Sequence, residues 1–126
     1  MKLVYFTISG NCKLFIDKID KTLYTEIIQL NKINSYNIKF DEDYILLCGS
    51  YEKENIIYDH LKYFLTNNPN CKGIIGSGNR NFGNQFLITP KRLSREFDIE
   101  LIIEMEFQGI GREHEILNNK VKEMIN

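Results

Sequence analysis

Tyr44-Ile45-Leu46-Leu47-Cys48 is an unbroken apolar run with no polar residue to turn toward water. A strand of that kind has to be covered on both faces, as the central strands of a parallel sheet are. Lys72–Gly76 (KGIIG) is a second buried strand. Around these two, strand-like and helix-like segments alternate. Lys2–Thr7 (KLVYFT) favours β structure and breaks at Ser9-Gly10-Asn11, after which Asn11–Ile19 gathers Leu14, Phe15, Ile16 and Ile19 on a compact helical face. Thr25–Leu30 (TEIIQL) reads as a strand, followed by a polar stretch, Asn31–Asp43, with a short extended piece at Tyr36–Phe40. Glu54–Leu65 repeats Ile57, Leu61, Phe64 and Leu65 at helical spacing and is stopped by Asn67-Asn68-Pro69-Asn70. Asn84–Phe97 reads as a helix that Pro90 kinks or interrupts. Ile99–Phe107 (IELIIEMEF) is a long strand, and Arg112–Ile125 carries Ile116, Val121 and Ile125 on one helical face.

Strands separated by crossover helices imply a parallel sheet with helices on both faces. Five main strands in a chain of 126 residues predict an α/β fold. The expected form is a flavodoxin-like, doubly wound, five-stranded parallel sheet of order 2-1-3-4-5, with residues 1–126 as a single domain. Sixteen basic residues face seventeen acidic ones, for a formal net charge of -1. No global field draws in nucleic acid or an anionic membrane, and neither is an expected partner. No apolar run nears the length of a membrane span. The opening MKLVYFTISGN is too short in apolar length for a signal peptide and lacks a small-residue cleavage site, so the expected location is cytoplasmic. Cys12, Cys48 and Cys71 are widely spaced and odd in number, and His60 and His114 lack metal-ligand companions, so neither a disulfide framework nor a metal site is expected. His60 is expected on a helix surface.

In a sheet of this order a ligand sits beyond the C-terminal ends of strands 1, 3 and 4. That directs attention to Thr7–Cys12, Cys48–Asn55 and Ser77–Gly83. In the first loop, backbone N–H groups at a helix start attract a phosphate, Gly10 permits a tight turn, and Thr7, Ser9 and Asn11 add donors. The loop holds no lysine and no G-x-x-x-x-G-K-[ST] pattern, which suits a mononucleotide cofactor better than a nucleoside triphosphate. A plain strand-to-helix turn capped by Asn11 would look the same. The third loop, Ser77-Gly78-Asn79-Arg80-Asn81-Phe82-Gly83, combines glycines for close approach with amides and an aromatic ring, which together can grip a planar heterocycle. It is no dinucleotide fingerprint, since Asn81 stands where a glycine would be needed. Its alternative is structural, with Phe82 in the core and the asparagines capping turns.

The stretch Gly73-Ile74-Ile75-Gly76-Ser77-Gly78-Asn79-Arg80-Asn81-Phe82-Gly83 resembles the signature of the NrdI family, flavodoxin-like proteins that serve class Ib ribonucleotide reductase. The first loop resembles a flavodoxin phosphate loop. Glu106-Phe107-Gln108-Gly109 resembles the family's Phe-Glu-Leu-x-Gly ending, and Glu113 stands near its usual acidic position. The resemblance implies FMN as cofactor. It assigns Thr7, Ile8, Ser9, Gly10, Asn11 and Cys12 to the phosphate. Gly49, Ser50 and Tyr51, with Ser77, Gly78, Asn79, Asn81, Phe82 and Gly83, fall to the ring. It further implies that the reduced flavin reacts with dioxygen and passes the oxidant to the homodimeric small subunit of the reductase, where a dimanganese site makes the radical cofactor. A flavodoxin or ferredoxin reductase is a candidate electron donor. The protein is then an activator or electron donor in which the flavin does the chemistry and no side chain acts as acid or base. Tyr51, Lys53, Arg80 and Phe82 are expected to line the partner contact.

Three positions depart from the family pattern. Cys12 replaces a Thr or small apolar residue; its thiol reads either as a reactive group at a helix start or as a small substitute. Ile110 replaces a Thr. The middle loop, Gly49-Ser50-Tyr51-Glu52-Lys53-Glu54-Asn55, has one glycine and no proline where the family is glycine-rich and continues into Val-Pro or Ile-Pro. Carboxylates from Glu52 and Glu54 near the ring would disfavour its anionic reduced form. Two other readings stay open at this point. One is a flavodoxin-type electron carrier for another partner, against which the near-zero charge argues. The other is a non-redox binding module that has lost FMN.

Overall fold

The computed structural model describes residues 1–6, 10–50 and 54–126, with all their side chains except those of residues 50, 54–56, 82, 84 and 85. The elements run β1 (Lys2–Phe6), α1 (Asn11–Ile16), β2 (Glu26–Leu30), β3 (Tyr44–Ser50), α2 (Glu54–Asn67), β4 (Cys71–Gly78), α3 (Ile88–Phe97), β5 (Leu101–Glu106) and α4 (Glu113–Ile125). Short 3-10 turns lie at Lys21–Leu23, Asn34–Tyr36 and Arg80–Gln85. The strands pair in parallel in the order β2-β1-β3-β4-β5, as the alternation of strands and helices predicts.

Each central strand feeds two cores. Ile45, Leu47 and Ile75 face α1 and α4, where they meet Phe15, Leu117 and Val121. Tyr44, Leu46, Cys48 and Ile74 face α2 and α3, where they meet Leu61, Phe64 and Leu93. Tyr44, Ile45, Leu46, Leu47 and Cys48 are all 0% exposed, which accounts for the unbroken apolar run. A sheet wrapped on both faces has no polar side on which a substitution would be cheap. Truncating one of these residues to Ala costs about 2–5 kcal/mol.

Several local readings are corrected by packing. The helix expected from Asn84 starts at Ile88, so Pro90 falls in its first turn, where the missing N–H breaks no ladder and causes no kink. Tyr36–Phe40 forms no strand, and Tyr36 belongs to the 3-10 turn Asn34–Tyr36. Asn31 Oδ1 accepts from the backbone N–H of Ile33 and of Asn34 at 2.8 Å each, Asn34 Oδ1 accepts from Asn31 N–H at 2.7 Å, and this mutual capping curls the chain into a 3-10 turn. The inward face of α4 is Leu117 and Val121, while Ile116 and Ile125 point to solvent at 54% and 46% exposure. β5 is shorter than Ile99–Phe107, because Ile99 N–H is spent on Ser94 O at the end of α3.

Asn68, which ends α2, is 0% exposed and fully used. Its Nδ2 donates to Ile38 O and Phe64 O at 3.0 Å each, its Oδ1 accepts from Phe40 N–H at 2.9 Å, and its carbonyl accepts from the Tyr44 hydroxyl at 2.5 Å. The amide ties the segment before β3 to the end of α2. Leucine has similar volume but would leave two part-buried backbone groups, Ile38 O and Phe40 N–H, without their partner, while Phe64 O keeps its bond from Asn68 N–H. Asn68→Leu is expected to cost about 3 kcal/mol, read as a lower urea midpoint at unchanged slope. An unchanged midpoint would contradict this role.

Candidate functional site

The register puts the strand ends in line. Phe6 pairs with Cys48, Cys48 with Gly76, and Gly76 with Glu104. The chain therefore leaves β1, β3 and β4 along one edge of the sheet. Thr7, Ile8 and Ser9 of the first loop, and Tyr51, Glu52 and Lys53 of the middle loop, lie outside the described residues.

Gly10 precedes α1 in the left-handed region (φ 88°, ψ -6°), and a Cβ built there meets nothing within 4 Å. Its carbonyl accepts from Leu14 N–H at 3.1 Å. Asn11 is half-buried at the first helical position. Cys12 is 0% exposed and belongs to the core with Phe15 and Ile16; its thiol donates weakly to Phe6 O at 3.8 Å. On the middle strand, Gly49 is buried opposite Ser77, and Ser50 stands opposite Gly78.

The third loop is held from both faces of the sheet. Ser77 is 0% exposed and its hydroxyl donates to Phe107 O. Phe107 N–H donates back to Gly78 O at 2.9 Å. On the other face, a Cβ at Gly76 would lie 3.0 Å from the Pro90 ring, and one at Gly78 would lie 2.9 Å from Leu87 Cδ2. Only glycine lets α3 begin that close to β4. Asn79 caps the 3-10 turn, its Oδ1 accepting from Asn81 N–H at 2.9 Å. Asn81 is exposed, and the backbone of Phe82 runs through the same turn. Gly83 (φ 60°, ψ -124°) breaks the turn in a conformation open essentially to glycine, with nothing within 4 Å of an added Cβ.

Gly10 at the start of α1 and Gly83 in the turn after β4 both have positive φ, and among the described residues no atom lies within 4 Å of a Cβ added at either. That arrangement admits a ligand in van der Waals contact with main chain at two separate points. The exposed amide of Asn81 stands beside one of them.

Sequence reasoning missed the turn after β5 except through the family-like ending. Arg80 Nε lies 3.2 Å from Glu106 Oε1, and the guanidinium carbon sits 4.4 Å from the centroid of the Phe86 ring. Phe107 adopts φ 52°, and Lys18 Nζ donates to Gly109 O at 2.6 Å. His60 is half-buried rather than on an open helix surface. Its Nδ1 lies 2.9 Å from the Oγ of buried Ser35, and its ring meets Tyr36 at 4.9 Å and Phe6 at 6.1 Å. No signal in the sequence brings Ser35 to His60, because the contact crosses from a turn to a helix.

Among the described residues no group of three or more His, Cys, Asp and Glu could hold a metal ion, and no helix is long and apolar enough to cross a membrane. A cavity of about 460 Å³ lies at the opposite edge of the sheet, lined by Leu65, Thr66, Pro69, Cys71, Phe97, Asp98 and Ile99. It contains none of the residues expected to bind the cofactor.

Residues 3–119 match the model of the family described as NrdI flavodoxin-like. The Protein NrdI of Mesoplasma florum is 32% identical over 130 residues, covering 96% of this chain and 83% of that protein. The Protein NrdI of Macrococcus caseolyticus is 30% identical over 125 residues, covering 98% and 91%. That of Mycoplasma pneumoniae is 31% identical over 116 residues, covering 85% and 73%. Among solved structures, a short-chain flavodoxin associated with a bacterial microcompartment superposes with a TM-score of 0.60 at 14% identity, covering 98% of this chain and 95% of its own. That likeness speaks for the fold.

Burial decides the chemistry of the thiols. It pushes Cys48 well above the usual thiol range and Cys71 up to about 12. Cys12 is 0% exposed in the core on the other face of the sheet, with Phe15 and Ile16. At pH 8 the folded protein is expected to resist iodoacetamide at all three cysteines and to take up three labels on unfolding. Rapid labelling of Cys12 in the native state would contradict its placement in the core.

Proposed function

Because this chain belongs to the NrdI flavodoxin-like family, we propose that it binds FMN at the C-terminal edge of its sheet and activates the small subunit of a class Ib ribonucleotide reductase. The observation that carries the reading is the register that brings the ends of β1, β3 and β4 into line, with positive-φ glycines, Gly10 and Gly83, in the segments after β1 and β4. A phosphate and a flat ring both need close approach of backbone, and a side chain at either glycine would occupy that space.

In this reading Thr7, Ile8, Ser9, Gly10 and Asn11 hold the phosphate. Cys12 contributes through its backbone, since its thiol is turned to Phe6 O. Gly49, Ser50 and Tyr51 bound the ring on one side, and Asn79, Asn81, Phe82 and Gly83 on the other. Ser77 and Gly78 act at one remove, fixing the loop against Phe107. Bound FMN supplies the redox chemistry, its reduced form passing electrons to dioxygen to make the oxidant for a dimanganese site. The protein's own residues bind and orient the ring, shield it from water and provide the docking face. With such a partner the protein works in the cytoplasm, supplied with electrons by a flavodoxin or ferredoxin reductase.

The docking face surrounds the flavin, because a reduced oxygen species escapes unless the partner closes the path. Glu52, Lys53 and Glu54 of the middle loop carry charge in sequence next to the expected ring contacts, so the association is expected to weaken as salt is raised.

Titration with FMN, followed by absorbance and quenching of flavin fluorescence, is expected to give one site per chain. Asn11→Leu, through the loss of one hydrogen bond to a charged group worth about 1.5–3 kcal/mol, and Gly83→Val, through the strain and bulk of a side chain at φ 60°, should each weaken binding by about tenfold or more, with circular dichroism unchanged. Affinity unaltered in both variants would overturn the assignment of the loops. Protein loaded with FMN, reduced without air and then mixed with the manganese-loaded small subunit and dioxygen, should generate the radical seen by electron paramagnetic resonance. Flavin binding without any radical, alongside rapid electron transfer to another acceptor, would favour the plain carrier.

A further inference from the structure

Arg80 stands between Asn79 and Asn81, the two amides expected to meet the ring, yet its own side chain turns away to the end of β5. Its Nε lies 3.2 Å from Glu106 Oε1, and its guanidinium stacks 4.4 Å from the centroid of Phe86. Phe86 is 6% exposed, and its ring lies 3.3 Å from where a Cβ on Gly78 would be. The ion pair therefore closes over the α3 face of the sheet. Ser77 and Phe107 close the opposite face through backbone and hydroxyl bonds. Glu106 pairs with Gly78 in the last row of the β4–β5 ladder, so both charges stand at the rim. Their exposures differ: the Arg80 side chain is 60% exposed and that of Glu106 24%. The next pair along, Lys91 with Glu104 at 3.5 Å, meets the same ring, with Lys91 Nζ 5.4 Å from the Phe86 centroid, and it stays in place when Arg80 or Glu106 is changed.

We infer that Arg80 and Glu106 are positioning residues that clamp the loop after β4 and set the reduction potential of the flavin in opposite directions. The inference rests on the FMN reading above. Two-electron reduction of FMN with uptake of one proton leaves a net negative charge on the ring. A nearby cation stabilises that charge and a nearby carboxylate opposes it. With both present the two fields largely cancel. Removing Arg80 uncovers a half-buried carboxylate, and removing Glu106 uncovers the guanidinium.

A purely structural clamp behaves differently. Arg80→Gln and Glu106→Gln break the same bond, so loosening alone would shift the flavin the same way in both. The electrostatic role gives shifts of opposite sign. Both groups touch solvent, so each effect is modest, about two- to fivefold in the ratio of reduced to oxidised FMN affinity, and screened by salt.

The experiment measures the midpoint potential of FMN-loaded wild type, R80Q, E106Q and the double variant by anaerobic titration against reference dyes, at low salt and at 1 M salt. Hydrogen exchange of the proteins without flavin follows the amides of residues 79–83. Both single variants are expected to exchange faster there, to a similar degree. R80Q should have the lower potential and E106Q the higher, with the double variant between them, and the spread should shrink at 1 M salt. Shifts in one direction, no shift, or shifts indifferent to salt would overturn this inference while leaving FMN binding in place. A wild-type protein that binds no FMN would overturn the flavin reading, and this inference with it.

Discussion

Register is the constraint on which the site depends. Phe6, Cys48, Gly76 and Glu104 share one row, and a slip of one residue in any strand would scatter the loops that leave from it. In most sheets the alternation of apolar and polar residues prevents such a slip. Here it cannot do so alone, because Tyr44–Cys48 is apolar on both faces. Gly76 and Gly78 supply the missing distinction. Spaced by two, they fall on the same face, where Pro90, Leu87 and Phe86 press against the backbone. A slip would set Ile75 or Ser77 against the start of α3, where a methyl group already has no room.

The same glycines connect packing to preorganisation. Because α3 starts so near β4, the chain between them is short and must turn hard, through the break at Gly83 and the left-handed Leu87 (φ 55°). The loop's internal bonds use up Ser77, the carbonyl of Gly78 and the side-chain oxygen of Asn79. Among the described residues of the loop, Asn81 and Gly83 are left exposed. A loop already fixed on both faces loses little entropy when a ligand arrives, and that lowers the cost of binding.

The topology was legible because it depends on patterns that the chain repeats: buried runs, helical spacing and turn residues between them. The strand order followed from alternation and size. What escaped was governed by partners distant in sequence. Pro90 looked like a kink, since nothing in Asn84–Phe97 shows that the helix waits until Ile88. Ile116 and Ile125 looked inward because they were grouped with Val121 on one apolar face, and only the sheet says which face is covered. His60 gave no hint of Ser35. Of the candidate site, the glycines and asparagines stood out by composition. The roles of Ser77 and Arg80 did not, because both act on the turn after β5, about thirty residues on.

In the proposed function the C-terminal edge of the sheet, and not the cavity at its other end, receives FMN. Backbone amide chemical shifts recorded while FMN is added to the flavin-free protein test this most directly. Large shifts are predicted at residues 7–12, 49–51 and 77–83, with Leu65, Thr66, Phe97 and Ile99 unmoved. Shifts confined to those last four residues, or none at a saturating concentration of FMN, would contradict it.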